Sequence, residues 1–475
     1  MDGILNTPEI NQLYTLVEEA ARATPEGTKR FVEPLAGTLS RAISRRHHIV
    51  FGRRGSGKTS LLRKAAADLT LDRRPIAFVN LDVFKAHSYP DVLISVLIAT
   101  LTYFKEWLET TAVHPSTKKS FWRKWFETRP TRGAFNREKA NQLGKDISSL
   151  IKDLKDQLHA ADNVEIQKMI RGTQESAFHG EMEGQLDAPG VGRVASKVGR
   201  SDRKNQEEQV QEFFRRSKID FLHRHIMEYI DIFRRLAEFS EGDSFLFLDD
   251  LYQIRRDDQA PLLDYFHRIA KGNGLWLKIG TIRHQSRLYV HGNPPIGLNI
   301  RDDADEIDLD LTLEKYSRTK SFLVKILNEL IEECAAPPAT DLLTDGAIDR
   351  LVLASGGVAR DFLGIFRRSI EEALERLQRD PTHGKGPRIF AEDVNQAAGT
   401  YGDSKMQDFR IDAFENQQGL LQVFDRIRDF CMERKANCFL LDQDSNLAET
   451  DLIDELVDLR LVHLVRSGLT VSGRT

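Results

Sequence analysis

The chain has 475 residues, of which 40% are hydrophobic and 29% charged, and its net charge is −4. That length exceeds what one core usually needs, so two to four soluble domains are expected. The charge excludes a polycation, which confines any nucleic-acid surface to a local patch.

Taken in order, residues 1–45 read as N-terminal helices, with Leu13, Leu16 and Val17 on one apolar face. His47 to Gly52 reads as a short buried strand, and Ser60 to Leu69 as the helix that follows a glycine-rich turn. Arg74 to Phe84 carries a second strand, and Pro90 opens another helix. The pattern breaks over 109–205, a basic and aromatic helical insertion that ends in a glycine-rich stretch expected to be a mobile loop. Further strands fall within Gly242–Ile254, Gly274–His284 and Asp305–Thr312, each separated from the next by a helical segment. Short apolar strands alternating with helices predict an α/β fold, a parallel sheet covered on both faces, built from 46–108 and 206–311. Residues 312–402 are helical, with Thr344 as an N-cap, and Gly384 to Pro387 reads as a linker. Residues 416–475 read as helices followed by a small hairpin.

The turn after the first strand carries the chemistry. Gly52, Gly55, Gly57, Lys58 and Thr59 match G-x-x-x-x-G-K-[ST], the Walker A phosphate loop. Glycines let backbone N–H groups curl inward onto phosphate oxygens, and the next helix presents its positive end to the same anion. The stretch Gly52, Arg53, Arg54, Gly55, Ser56, Gly57, Lys58, Thr59 and Ser60 is therefore the expected nucleotide-binding segment. Lys58 is expected on the β- and γ-phosphates of ATP and the Thr59 hydroxyl on Mg²⁺. Arg53 and Arg54 fill the variable positions, read first as solvated charges at the pocket mouth. "FLFLDD", Phe245–Asp250, is a buried strand ending in two carboxylates, a Walker B pattern. Such a strand delivers its acids to the carboxyl edge of the sheet, where ligands bind. Asp249 is then the Mg²⁺ ligand, and Asp250 orients or deprotonates the attacking water.

This order of elements resembles the AAA+ ATPases, and among them the origin-recognition and replication-initiator clade. "LASGGVARDFLGIFRRSIEEA", Leu353–Ala373, is similar to the helical lid of that family, and "LIDELVDLRLVHLVRSGLTV", Leu452–Val471, to its winged helix. The resemblance covers roughly 25–108 and 206–475 and leaves the insertion out. It implies that Arg360 in "GGVAR" reaches the γ-phosphate, coupling lid angle to nucleotide state. It also implies that Thr281 or Arg283, at the end of the fourth strand, senses charge building on that phosphate, although Arg283 can equally be a strand-end arginine in a surface ion pair. A homo-oligomer is implied too, with an arginine finger from Arg287 or Arg301. Asp250 stands where the clade often has Glu, one methylene longer, which implies slow hydrolysis.

DNA is the partner that the clade suggests. In the C-terminal segment acids outnumber bases, so protein contacts are the better expectation there. Lys118, Lys119, Arg123 and Lys124 of the insertion, interleaved with Phe121, Trp122, Trp125 and Phe126, can bind phosphates while the rings stack. The same rings can instead pack into a core, or the helix can dock a protein. The expected activity is an ATPase switch that oligomerises with nucleotide and controls a separate effector protein, in replication, transposition or prokaryotic defence. The alternative is a signalling scaffold that grips proteins, and a metabolic kinase is the least favoured. Cys334, Cys431 and Cys438 lack metal-ligand spacing. With no basic-then-apolar leader and no run near the roughly 20 residues of a membrane span, the expected setting is cytoplasmic.

Overall fold

Strands of four to seven residues, most of them apolar, assemble into one five-stranded sheet. The strands are β1 (His48–Phe51), β2 (Ile76–Asn80), β3 (Ser244–Asp249), β4 (Leu275–Thr281) and β5 (Asp305–Asp308). Their spatial order is β2-β3-β4-β1-β5, and every pairing is parallel. This is the expected α/β class. The computed structural model describes residues 4–112 apart from 23 and 25, 136–159, 195–379, 386–441 apart from 417, and 447–466. Side chains of 195–213 and a few further positions lie outside that description.

β3 is buried along its whole length, and its side chains alternate between two cores, as a pleated strand requires. Leu246 and Leu248 face a layer formed by α4 (Asp91–Trp107), α5 (Arg137–Leu158), α6 (Ala195–Phe239) and α7 (Arg256–Ala270). Phe245 and Phe247 face α2 (Thr38–Ala42) and α3 (Lys58–Leu71). α5 comes from the stretch read as an insertion. Leu143, Ile147, Leu150 and Leu154 bury one stripe of it in the same core as α4 and α6. Lys118, Lys119, Arg123 and Lys124, their neighbouring aromatics and residues 160–194 lie outside the described residues.

After the last strand a helical bundle comprises α8 (Tyr316–Glu333), α9 (Ala339–Leu342), α10 (Asp345–Ala354), α11 (Ala359–Arg379) and α12 (Ala391–Asn416). α1 (Pro8–Ala20) is started by its Thr7 cap and by proline in the first turn. Its Leu13, Leu16 and Val17 are buried among Leu323, Leu327 and Phe362, so α1 completes the bundle's core. Arg367 to Glu18, at 2.7 Å, closes its edge. α10 begins at the predicted cap, where Thr344 Oγ1 accepts the Ala347 N–H at 3.3 Å.

The chain ends in α13 (Gln418–Glu433) and α14 (Leu447–Asp458), which share a small core with Phe409 of α12. Of the expected terminal hairpin, the part up to Arg466 runs without a strand, and 467–475 lie outside the described residues.

Candidate functional site

The phosphate loop leaves β1 at Gly52, whose N–H donates to Thr281 O on β4 at 3.3 Å. Gly55 has φ +84°, and a Cβ there would lie 2.7 Å from the Arg360 Cβ, so glycine permits both the turn and the close approach of α11. Lys58 opens α3 and folds back over the loop, donating from Nζ to Gly52 O at 2.7 Å and to Arg53 O at 3.2 Å. Burial lowers the Lys58 pKa, while Asp250 and Asp249 pull it back up.

Those carboxylates arrive from β3. Asp249 is 2% exposed. Burial first, and then the charge of Asp250, raise its carboxyl to about 6, against a hydrogen bond from Thr59. Room for the carboxylate comes from β4: a Cβ on Gly280 would meet Asp249 Oδ1 at 2.7 Å and Leu62 Cδ1 at 2.9 Å. The Asp250 N–H donates to Asp249 Oδ1 at 3.1 Å. Burial also raises the Asp250 carboxyl, opposed chiefly by Lys58 and then by the Tyr252 hydroxyl. The loop and the acid pair, some 190 residues apart in the chain, thus meet at one edge of the sheet.

The loop and Asp250 border a cavity of about 400 Å³. Gly55 to Ser60 and Asp250 line its polar end, and Phe31, Val32, Phe322, Ile326 and Leu363 its apolar end. Arg360 also lines it. Its N–H lies 3.4 Å from Gly55 O, and its Nε donates to Ala21 O at 3.1 Å. Tyr252 and the strap over residues 27–34 are lining groups that sequence reasoning missed. The Tyr252 ring lies 5.4 Å from the Arg54 guanidinium and 5.7 Å from Lys58 Nζ. Its one signal in the sequence was its position two residues after Asp250.

Other expected residues stand elsewhere. Arg54 lines the cavity, but Arg53 does not reach its mouth. The Arg53 side chain turns inward, pairs with Asp310 at 3.2 Å and donates to Leu311 O at 3.0 Å and Gly356 O at 3.3 Å. Arg283 also stays outside the cavity lining. β1 lies between β4 and β5, so Arg283 crosses the Phe51 ring at 4.0 Å to reach Glu306 at 3.1 Å and Asp308 at 3.2 Å. Thr281 is fully buried and shares a 2.5 Å hydrogen bond with Ser286. Arg287 pairs with Asp257 at 2.8 Å, and Arg301 is an exposed turn residue at φ +84°.

The donor set fits a magnesium nucleotide. Asp249 is buried and Asp250 half-buried, burial raises both carboxyls, and the Thr59 hydroxyl stands against Asp249. Mg²⁺ is held in this way, by one or two protein oxygens and otherwise by phosphate and water. Among the described residues no group of three or more His, Cys, Asp or Glu side chains could form an all-protein cage. None of the helices described is long and apolar enough to cross a membrane.

No family model and no curated protein matches the chain. Among solved structures, the Aeropyrum pernix Orc1 protein in complex with DNA matches at 12% identity, over 95% of this chain and 83% of that one, with a TM-score of 0.33. An overlap that loose assigns no role to any residue, and the site geometry stands without it.

Proposed function

We propose that the chain is an ATPase switch that binds ATP with Mg²⁺ in this cavity and hydrolyses it slowly. The observation that carries the reading is the convergence of Lys58, Thr59, Asp249 and Asp250 at the carboxyl edge of the sheet. Thr59 and Asp249 would hold the metal, and Lys58 with the loop N–H groups the phosphates. When bound, the magnesium nucleotide supplies an electrophilic γ-phosphorus and neutralises the developing charge. Burial raises the Asp250 carboxyl, which makes it a stronger base for a proton from water. The apolar end of the cavity, with Phe31 and Phe322, takes the base. Arg360 belongs to the bundle yet lines the cavity and touches the loop, so a filled cavity biases how bundle and sheet meet.

For a switch of this kind the output is assembly, with Arg287 or Arg301 offered to a neighbouring copy, and control of a separate effector. Sizing the full chain with ADP, with a slowly hydrolysed ATP analogue, and with analogue plus duplex DNA tests this. An analogue-dependent increase in size is expected, and the same size in all three sinks the switch.

A second reading, a scaffold that grips proteins rather than DNA, is favoured by one set of contacts. In the C-terminal unit Arg426 pairs with Glu449, Arg428 with Asp425 and Asp429, and Arg460 with Asp361. Cations engaged in this way are poor phosphate ligands. DNA titration at two salt concentrations separates the readings: a steep salt slope supports DNA, and no binding supports the scaffold.

A further inference from the structure

Arg53 occupies a variable position of the phosphate loop, yet it is 4% exposed and pinned from three directions. Its N–H donates to Asp310 Oδ1 at 2.8 Å and its carbonyl accepts from Lys58 Nζ at 3.2 Å, so its backbone belongs to the phosphate site. Its side chain leaves the site on the far side, through Asp310 and Leu311 O to Gly356 O at the turn before α11. One guanidinium nitrogen, Nη1, is buried there without a hydrogen-bond partner.

The same seam is closed by the last residue of α14 and the segment that follows it. Asp458 is 3% exposed, and its Oδ2 is also buried without a hydrogen-bond partner. Burial, then Asp310 and Asp454, raise its carboxyl to about 7, against Arg53 and Lys58. The His463 ring covers Gly356, where a Cβ would fall 2.2 Å from it. The segment is anchored by Asp361, 1% exposed, which accepts from the Tyr401 hydroxyl at 3.0 Å, from Lys405 Nζ at 2.6 Å and from Arg460. A buried guanidinium nitrogen and a buried carboxylate oxygen, each without a hydrogen-bond partner in one seam, are each costly, and bringing them together removes both penalties.

We propose that Arg53 is a positioning residue that pairs with Asp458, so that docking of the 458–463 segment and filling of the nucleotide cavity strengthen each other. A small closure of the bundle over the loop lets Arg53 bridge Asp310 and Asp458. That closure holds Gly356, and α11 with it, against the loop whose Arg53 carbonyl steadies Lys58. By linkage, whatever fastens the segment also tightens nucleotide binding by the same factor. The inference rests on reading the cavity as the nucleotide site.

The test is binding of a fluorescent ADP analogue to the full chain. Arg53→Ala and Asp458→Asn should each weaken binding about fivefold to tenfold. Arg53→Lys should recover part of the loss. The double variant should bind no worse than the weaker single, because both remove one interaction. Wild-type affinity in Asp458→Asn, or additive losses in the double variant, would overturn the inference while leaving the nucleotide site intact. Failure of the wild type to bind the analogue sinks both readings together. If Arg53→Ala does not fold, Arg53→Met keeps the packing of the stem and takes its place, with the same outcomes.

Discussion

Two buried lysines at opposite ends of the sheet show the difference between a finished polar cluster and a working one. Lys278 lies at the amino end, on β4 opposite His48 of β1, and is 0% exposed. Its Nζ donates to Ser44 O at 2.7 Å, Arg46 O at 2.8 Å and His48 Nδ1 at 3.0 Å, so three acceptors meet three possible N–H groups. No carboxylate is among those partners. Next to it His47 Nδ1 accepts the Leu277 N–H, and burial lowers His47 to about 4 and His48 to about 3, keeping both rings neutral. Lys58, at the carboxyl end, has two carbonyl acceptors and stands beside two carboxylates whose own pKa values are raised. One cluster has satisfied its hydrogen bonds internally. The other keeps a surplus that a phosphate and a divalent cation would settle.

If that contrast is right, substitutions at the two ends should separate binding from stability. The largest effect is expected at Lys58. Lys58→Ala should lower ATP affinity by more than about 100-fold, since charge-assisted contacts to two phosphates are lost. Unchanged affinity by calorimetry would end the nucleotide reading. Asp250→Ala comes next: ATP should still bind while turnover drops about 100-fold or more, the usual size of a general-base contribution. Wild-type phosphate release would take Asp250 out of its role. Lys278→Ala should do the reverse, leaving ATP affinity within twofold while costing roughly 3 kcal/mol in stability, from a cavity and three lost hydrogen bonds. Denaturant midpoints measure this, and a weakened ATP affinity would erase the distinction between the two ends.

What could be read in the chain follows the same division. The phosphate loop is a local device, with glycine, lysine and threonine spaced within eight residues, so Gly52 to Thr59 announced itself. The Asp249–Asp250 pair was legible because an apolar strand can deliver acids to only one edge. The direction of Arg53 was not, because its partners Asp310 and Gly356 lie more than 250 residues away. For Arg283 the open question between sensor and strand-end ion pair depended on which strand flanks β1. Only the β1–β5 register shows Glu306 and Asp308 within its reach. The place of α1 in the bundle was equally hidden: an apolar stripe shows that a helix is buried but does not name the surface it covers.

The smallest predicted effect concerns pH, and its sign differs between the two ends. Asp249 has a folded pKa of about 6, above its ordinary value, so between roughly pH 4 and 6 the folded state holds a proton that the unfolded state has lost. Its contribution to stability therefore falls as pH rises through that window. Lys278 is pushed down to about 7 by burial, so above about pH 7 the unfolded lysine keeps a proton that the folded one releases. Its contribution rises with pH. His47 and His48 act in the acid window with the opposite sign to Asp249, so each group must be isolated by difference. The stability of Asp249→Asn relative to wild type should increase from pH 4 to 6 and stay level from 7 to 9. That of Lys278→Met relative to wild type should stay level below 7 and decrease from 7 to 9. Urea midpoints at half-unit pH steps give both curves. Magnesium and ATP should shift only the first, because they compete with the proton on Asp249 and have no access to Lys278.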